Sequence, residues 1–157
     1  MKKIIERIFP KVINNEFKGY KIALYVFYAL TAVTIWRSQH HMFSPDGGAQ
    51  SIATIPLDAF TDKGSAAVIG IFSLWGLSQL IIGIMYLVSS IRYRSMIPMW
   101  YLLMFIEYLF RGTYVSMAKP VPTIGTAPGA KGNLPLMIIA LIMFVLSVMT
   151  PRKDKKI

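Results

Sequence analysis

Glu107 and Arg111 stand four residues apart inside an otherwise apolar run, Met96 to Met117, that is long enough to cross a bilayer. A carboxylate and a guanidinium at that depth are costly unless they face the protein interior and meet each other or a ligand. Two chemistries follow. The pair can be a structural ion pair that locks this helix against its neighbours. Alternatively, Glu107 is a proton, cation or ligand site that Arg111 holds in its charged form, and Arg111 alone suits a carboxylate or a phosphate. At about 100° per residue, Trp100, Met104, Glu107, Arg111 and Tyr114 share one face, so this stripe is expected to face other helices.

The neighbouring apolar runs supply partners for the stripe. Gly76, Gln79, Gly83 and Tyr86 lie within about a quarter-turn of one another on the preceding run. Small residues let helices approach closely, and Gln79 offers a hydrogen-bonding group within the membrane. Gln79 is the expected partner of Glu107 or Arg111; a packing seam around one satisfied amide is the simpler alternative. On the first run Thr31, Thr34, Ser38 and His41 recur at helical spacing beside Tyr28, with hydroxyls that can equally bond to their own backbone.

His40 and His41 close that run, with Asp46, Asp58 and Asp62 following. A metal would need three or four of these to converge, and adjacent histidines on a helix point different ways, so no metal site is expected. No histidine falls in the middle of a run to hold a haem between spans. The chain has no cysteine, which excludes disulfides, CxxC pairs and thiolate metal sites. It has no GxSxG, HExxH or phosphate-binding glycine loop. No cofactor and no catalytic residue is assigned, and the reading leans away from an enzyme. A membrane enzyme acting on a lipophilic substrate through Glu107, Arg111, Tyr108 or Tyr114 stays as an alternative.

The elements that must position these residues are long helices. Of 157 residues, 55% are hydrophobic and 15% charged, and the apolar residues come in uninterrupted blocks. The expected fold is all-α, an integral membrane four-helix bundle forming one domain over residues 1–157, with spans at about 20–37, 66–89, 96–117 and 134–150. Ser95 is placed to cap the third helix, Asn133 with Leu134 and Pro135 to start the fourth, and Pro151 to end it. Twelve of the 17 Lys and Arg fall on one side of these spans: Lys2, Lys3, Arg7, Lys11, Lys18 and Lys21 before the first, Arg92 and Arg94 in the middle turn, and Arg152, Lys153, Lys155 and Lys156 after the last. Positive charge collects on the cytoplasmic side, so both termini are expected there. The net charge of +10 is accounted for by this topology, and nucleic acid is not an expected partner.

Outside the spans, residues 1–18 intersperse Ile4, Ile5, Ile8, Phe9, Val12 and Ile13 with basic residues. That pattern suits a segment lying in the headgroup layer against anionic lipid, or docking on a partner protein. The loop from Gln39 to Gly64 is too apolar to float free and is expected to fold back over the helix ends as a short lid. The Pro- and Gly-rich stretch from Lys119 to Gly132 reads as an irregular cover.

The glycine-bearing second helix (Gly70, Gly76, Gly83), the basic turn at Arg92 and Arg94, and the Arg111-Gly112 pair late in the third helix resemble small four-helix bacterial membrane proteins, the DoxX-like and related uncharacterised families. The resemblance implies an architecture and a bacterial inner-membrane location more than an activity. The function expected is binding or passing a small ligand, lipid or ion between the helices, at Glu107, Arg111, Gln79, Trp100 and Tyr114. The alternative is a structural or accessory subunit that packs its aromatic and methionine-rich surfaces on a larger membrane complex or on copies of itself. Membrane lipids, anionic lipid at the cytoplasmic face among them, and a homo-oligomeric or other membrane partner complete the expected partners.

Overall fold

The computed structural model of the chain describes residues 2–151, and Arg152, Lys153, Lys155 and Lys156 lie outside that range. The described chain is all helical, with no strand. A short helix α1 (Lys2–Ile8) precedes α2 (Lys21–Phe43). A loop with one 3-10 turn, Leu57–Ala59, leads to α3 (Asp62–Arg92). A second 3-10 turn, Arg94–Met96, opens α4 (Ile97–Phe110), which continues through a π-helical turn at Arg111–Val115 and a last turn at Ser116–Ala118. Helix α5 (Pro128–Val148) closes the fold.

Local chemistry explains most of these edges. Thr61 caps α3 by accepting the Gly64 N–H at 3.2 Å, and proline stands in the opening positions of both α4 and α5, where its missing N–H breaks no helical bond. Two expected edges differ. Helix α5 starts at Pro128, well before Leu134, and carries Pro135 inside it. Ser95 caps no helix; its hydroxyl accepts the Asn14 N–H at 3.0 Å while its own N–H donates to the Asn14 carbonyl. This reciprocal pair ties the amino-terminal segment to the turn between α3 and α4.

Helices α2 and α3 run antiparallel along their length: Tyr28 reaches the Ser90 carbonyl, Gly83 lies against Ile35, and Gly76 against His41 and Met42. Helices α4 and α5 form the other pair, joined to the first mainly through α2 and α5. One end of the bundle gathers the amino-terminal segment, the 94–96 turn and the end of α5, where Arg7 donates to the Val148 carbonyl and Tyr20 N–H to that of Leu146. The opposite end carries the two long loops.

The half nearer the termini is an aromatic core. Phe27 packs between Tyr86 and Tyr101, both at 5.5 Å, with Ala23, Ile97, Met104 and Ala140 around them. The Tyr101 hydroxyl donates to the Ala23 carbonyl at 2.6 Å, so this buried polar group is satisfied.

Helices α3 and α5 are long and apolar enough to cross a membrane, yet only 17% and 11% of their most apolar stretches are buried. The core helix of a water-soluble protein would hide that surface. Here α3 buries Gly76, Gln79, Gly83, Ser89 and Ser90 and turns Ile71, Leu74, Ile81, Ile84 and Ile91 outward. Of the four spans expected from the sequence, these two stand as continuous apolar helices. Helix α2 includes Lys21, Arg37, His40 and His41, which dilute its apolar content, and α4 is interrupted after Phe110 by the π turn.

Candidate functional site

Toward the loop end the contact between the two helix pairs changes from aromatic to charged. Glu107 and Arg111 form the expected pair, Nη1 to Oε1 at 3.1 Å, with Arg111 25% and Glu107 35% exposed. The Arg111 guanidinium reaches across to α3, where it lies over Trp75 at 5.4 Å, and it also lies 5.7 Å from the Tyr108 ring. From α2, Arg37 covers the same indole at 5.7 Å. Two guanidinium groups therefore share one aromatic platform, an arrangement stabilised by the ring quadrupole, and of the two Arg111 has a carboxylate partner, Glu107.

Gln79 is buried, as the small-residue seam requires, but its partner is Arg37, whose Nη2 donates to Oε1 at 3.4 Å. The Arg37 Nε atom is buried and has no acceptor among the described residues. Buried donors are nearly always paired, so this N–H marks a place where an acceptor is missing.

The remaining sequence-derived candidates lie elsewhere. Trp100 belongs to the aromatic core: its indole N–H donates to the Ser89 hydroxyl at 2.8 Å and its ring meets Tyr86 at 5.2 Å. Tyr114 is 59% exposed. The π-helical turn that begins at Arg111 adds a residue to the turn, so a 100° step per residue no longer places Tyr114 above Glu107.

Three residues of the cluster were not assigned to it from the sequence. Arg37 reads as a topology charge at a span end, and Trp75 has no polar neighbour in sequence to single it out. The helical spacing puts His41 on the buried face of α2 but does not identify its partner. Its Nδ1 lies 2.9 Å from the Gly47 carbonyl, which needs a proton on Nδ1, and its ring packs tilted against Trp75, the centroids 4.6 Å apart. The loop thus touches the cluster through His41.

The loop itself folds back on the helix ends, as its apolar content predicts. Ala49, Ile55 and Leu57 form a second small core against Val68, Ile69 and Phe72 of α3. Gly47 and Gly48 adopt left-handed φ values of +61° and +73°, and a Cβ on Gly48 would meet the His41 ring at 3.0 Å. The Asp46 carboxylate gathers the N–H groups of Gly48, Gln50 and Ser51 at 2.7–3.1 Å. Partial burial opposes its ionisation, but these hydrogen bonds outweigh it and hold Asp46 below the usual carboxylate pKa. Asp58 accepts from the Gln50 side chain at 2.8 Å. Among the described residues no three of the histidines and carboxylates converge as metal ligands. Thr54 joins this loop to the second one, donating to the Gly125 carbonyl and accepting the Ile124 N–H.

Comparison with protein-family models, curated proteins and solved structures returns no match to this chain.

Proposed function

We propose that the chain is an integral membrane protein of four transmembrane helices, termini in the cytoplasm, that binds a small anion, a carboxylate or a phosphate, between Arg37 and Arg111. At 1.5 Å per residue, α2, α3, α5 and the extended α4 are each about 30 Å or longer, which matches a hydrocarbon core of ~30 Å. The outward apolar faces of α3 and α5 support lipid as their surroundings, and the basic segments at the terminal end support a cytoplasmic assignment for that end.

The observation that carries the anion is the charge balance over Trp75. Two guanidinium groups lie on one indole with one carboxylate, held by Arg111, and Arg37 keeps a buried N–H without an acceptor. An oxyanion arriving there would supply that acceptor and balance the second positive charge. Arginine is suited to it because its planar fork matches carboxylate and phosphate geometry. The Gly47–His41–Trp75 contacts support a role for the loop as a cover over this site. Glu107 orients Arg111 and competes with the incoming anion for it.

Trp75 provides the test. Titrating inorganic phosphate, and separately acetate, into the protein in lipid nanodiscs is expected to give a saturable change in indole emission with at least one of them. The change is lost in Arg37→Gln and in Trp75→Phe and is enlarged in Glu107→Gln, where the competing carboxylate is gone. A response to neither anion, or one that persists in Arg37→Gln, overturns the assignment.

A further inference from the structure

Arg94 lines two cavities at once. One is a basin of about 460 Å³ at the terminal end, bounded by Arg7, Lys11, Lys18, Glu6 and Glu16. The other is a groove of about 650 Å³ that runs between α2 and α3 on the outside of the bundle, from Arg94 past Tyr28, Ala32 and Leu87 to Trp36 and Gln39. The two meet only in their shared arginine.

The basin is cationic. Glu16 pairs with Lys18 at 3.3 Å, and both terminal nitrogens of Arg7 are engaged with Val148 and Thr150. Arg7, Lys11 and Arg94 then outweigh the remaining acid, Glu6; of the Arg94 nitrogens, Nε donates to the Ser90 carbonyl at 3.0 Å, and no bond to another described residue engages the other two. The groove is chemically the opposite. Its hydroxyls are spent within the protein: Thr31 donates to the Phe27 carbonyl, Ser90 to that of Tyr86, and Tyr28 to that of Ser90. Short of Trp36 and Gln39 at its far end, its wall therefore asks for no hydrogen bond from an occupant. From Tyr28 to Gln39 it follows about 17 Å of helix and reaches the outer end of α2, so an acyl chain entering at Arg94 fills its nearer part, past Tyr28, Ala32 and Leu87.

We infer that this is a site for one anionic phospholipid of the leaflet at the terminal end, its phosphate on Arg94 and Lys11 and one acyl chain in the α2–α3 groove. The inference rests on the membrane reading above but not on the anion site over Trp75, which lies at the other end of the bundle. A cationic basin and an apolar channel meeting at one arginine match a molecule with an anionic head and an alkyl tail. A second copy of the chain would have to offer both features in register. An arginine suits the junction because such a side chain can lay its stem on apolar surface and keep its head among polar groups. Its bond to the last turn of α3 fixes where the head points.

The test is native mass spectrometry of the protein released from nanodiscs of phosphatidylglycerol and phosphatidylcholine in equal amounts. The expected spectrum retains one phosphatidylglycerol per chain in clear excess. Arg94→Gln lowers that retention about 10-fold or more, as losing a charge-assisted hydrogen bond does, while Arg94→Lys keeps part of it. Ala32→Trp, which fills the groove without touching the basin, lowers retention of both lipids. Circular dichroism confirms that each variant is folded. Equal retention of the two lipids by the wild type, or no change in Arg94→Gln, overturns the site. So does a dimer that Ala32→Trp disperses with lipid retention unaltered. Recovery of the chain in the aqueous phase, without detergent or lipid, signals instead that the membrane reading has failed.

Discussion

Substituting alanine at Gly76 and at Gly83 distinguishes a backbone contact from a side-chain contact along the same helix seam. A Cβ on Gly76 would lie 2.7 Å from the Met42 nitrogen and 2.8 Å from the His41 carbonyl carbon, both backbone atoms of α2. On Gly83 it would lie 2.9 Å from Ile35 Cγ1, which must shift or leave its preferred χ1 rotamer, but a comfortable 3.5 Å from the Ile35 nitrogen, so the α2 backbone is not pushed. Helix propensity favours alanine by up to about 1 kcal/mol at either position, so that gain cancels between the two variants. Only the overpacking remains. At Gly76 the helices must part, at a cost of ~1–3 kcal/mol relative to Gly83, or roughly 5- to 150-fold in the unfolding equilibrium. The assay is reversible unfolding in mixed micelles of rising sodium dodecyl sulfate, followed by circular dichroism. Parting α2 from α3 at His41 also moves Trp75 and loosens the Arg37–Gln79 contact, so Gly76→Ala weakens the phosphate response whereas Gly83→Ala keeps it. Equal destabilisation by the two alanines, or a greater loss at Gly83, refutes the seam geometry and with it the placement of Arg37.

Four further outcomes are expected. In a double-mutant cycle Glu107→Gln and Arg111→Leu show a coupling of about 1 kcal/mol, between exposed and fully buried pairs, because both groups are partly exposed; a coupling of zero means that the two do not interact. The Asp46 pKa is lower in the folded than in the unfolded chain, so its stabilisation is full above the unfolded value of about 4 and is lost as pH falls through the folded one. Relative to the intrinsic exchange rate at each pH, the amides of Gly48, Gln50 and Ser51 should therefore be protected at pH 6 and lose that protection below pH 4, while Asp46→Asn is less protected at pH 6 already; a wild-type loop whose protection is indifferent to that range contradicts the assignment. Gly48→Ala, at φ +73° and against the His41 ring, should raise loop exchange further, and unchanged exchange there would mean that the turn is not formed. Because the chain has no cysteine, single cysteines at Tyr93 and Lys119 report topology without background: Lys119→Cys should label in intact cells and Tyr93→Cys only after permeabilisation, and the reverse pattern inverts the orientation.

What the sequence made legible was periodic. The seam Gly76, Gln79, Gly83 and Tyr86 is buried as a set because a helix repeats its faces whatever it packs against. The Glu107–Arg111 pair formed for the same reason, as an i, i+4 contact needs no tertiary information. The periodic argument failed at Tyr114, where a π turn changes the step, and at the start of α5, which extends back through the Gly-rich stretch to Pro128. Partners across helices were not legible. Gln79 bonds to Arg37, 42 positions away, because α2 and α3 run antiparallel with His41 opposite Gly76.

The same geometry explains why the cluster lies where it does. Aromatic rings fill the terminal half between the helix pairs, so charged groups there would have neither water nor partners. Helices α3 and α4 touch little directly, and beyond Met104 the long Arg111 side chain reaches from α4 to Trp75 on α3, where Arg37 arrives from α2 within its own helix pair. Arginine can span such a gap and still be stabilised by an indole and one carboxylate. A pair evolved only to lock two helices would need one cation for its one anion. The second guanidinium, with its unpaired Nε, is the part of the cluster that a purely structural role leaves without a partner, and it is the reason to look for an anion there.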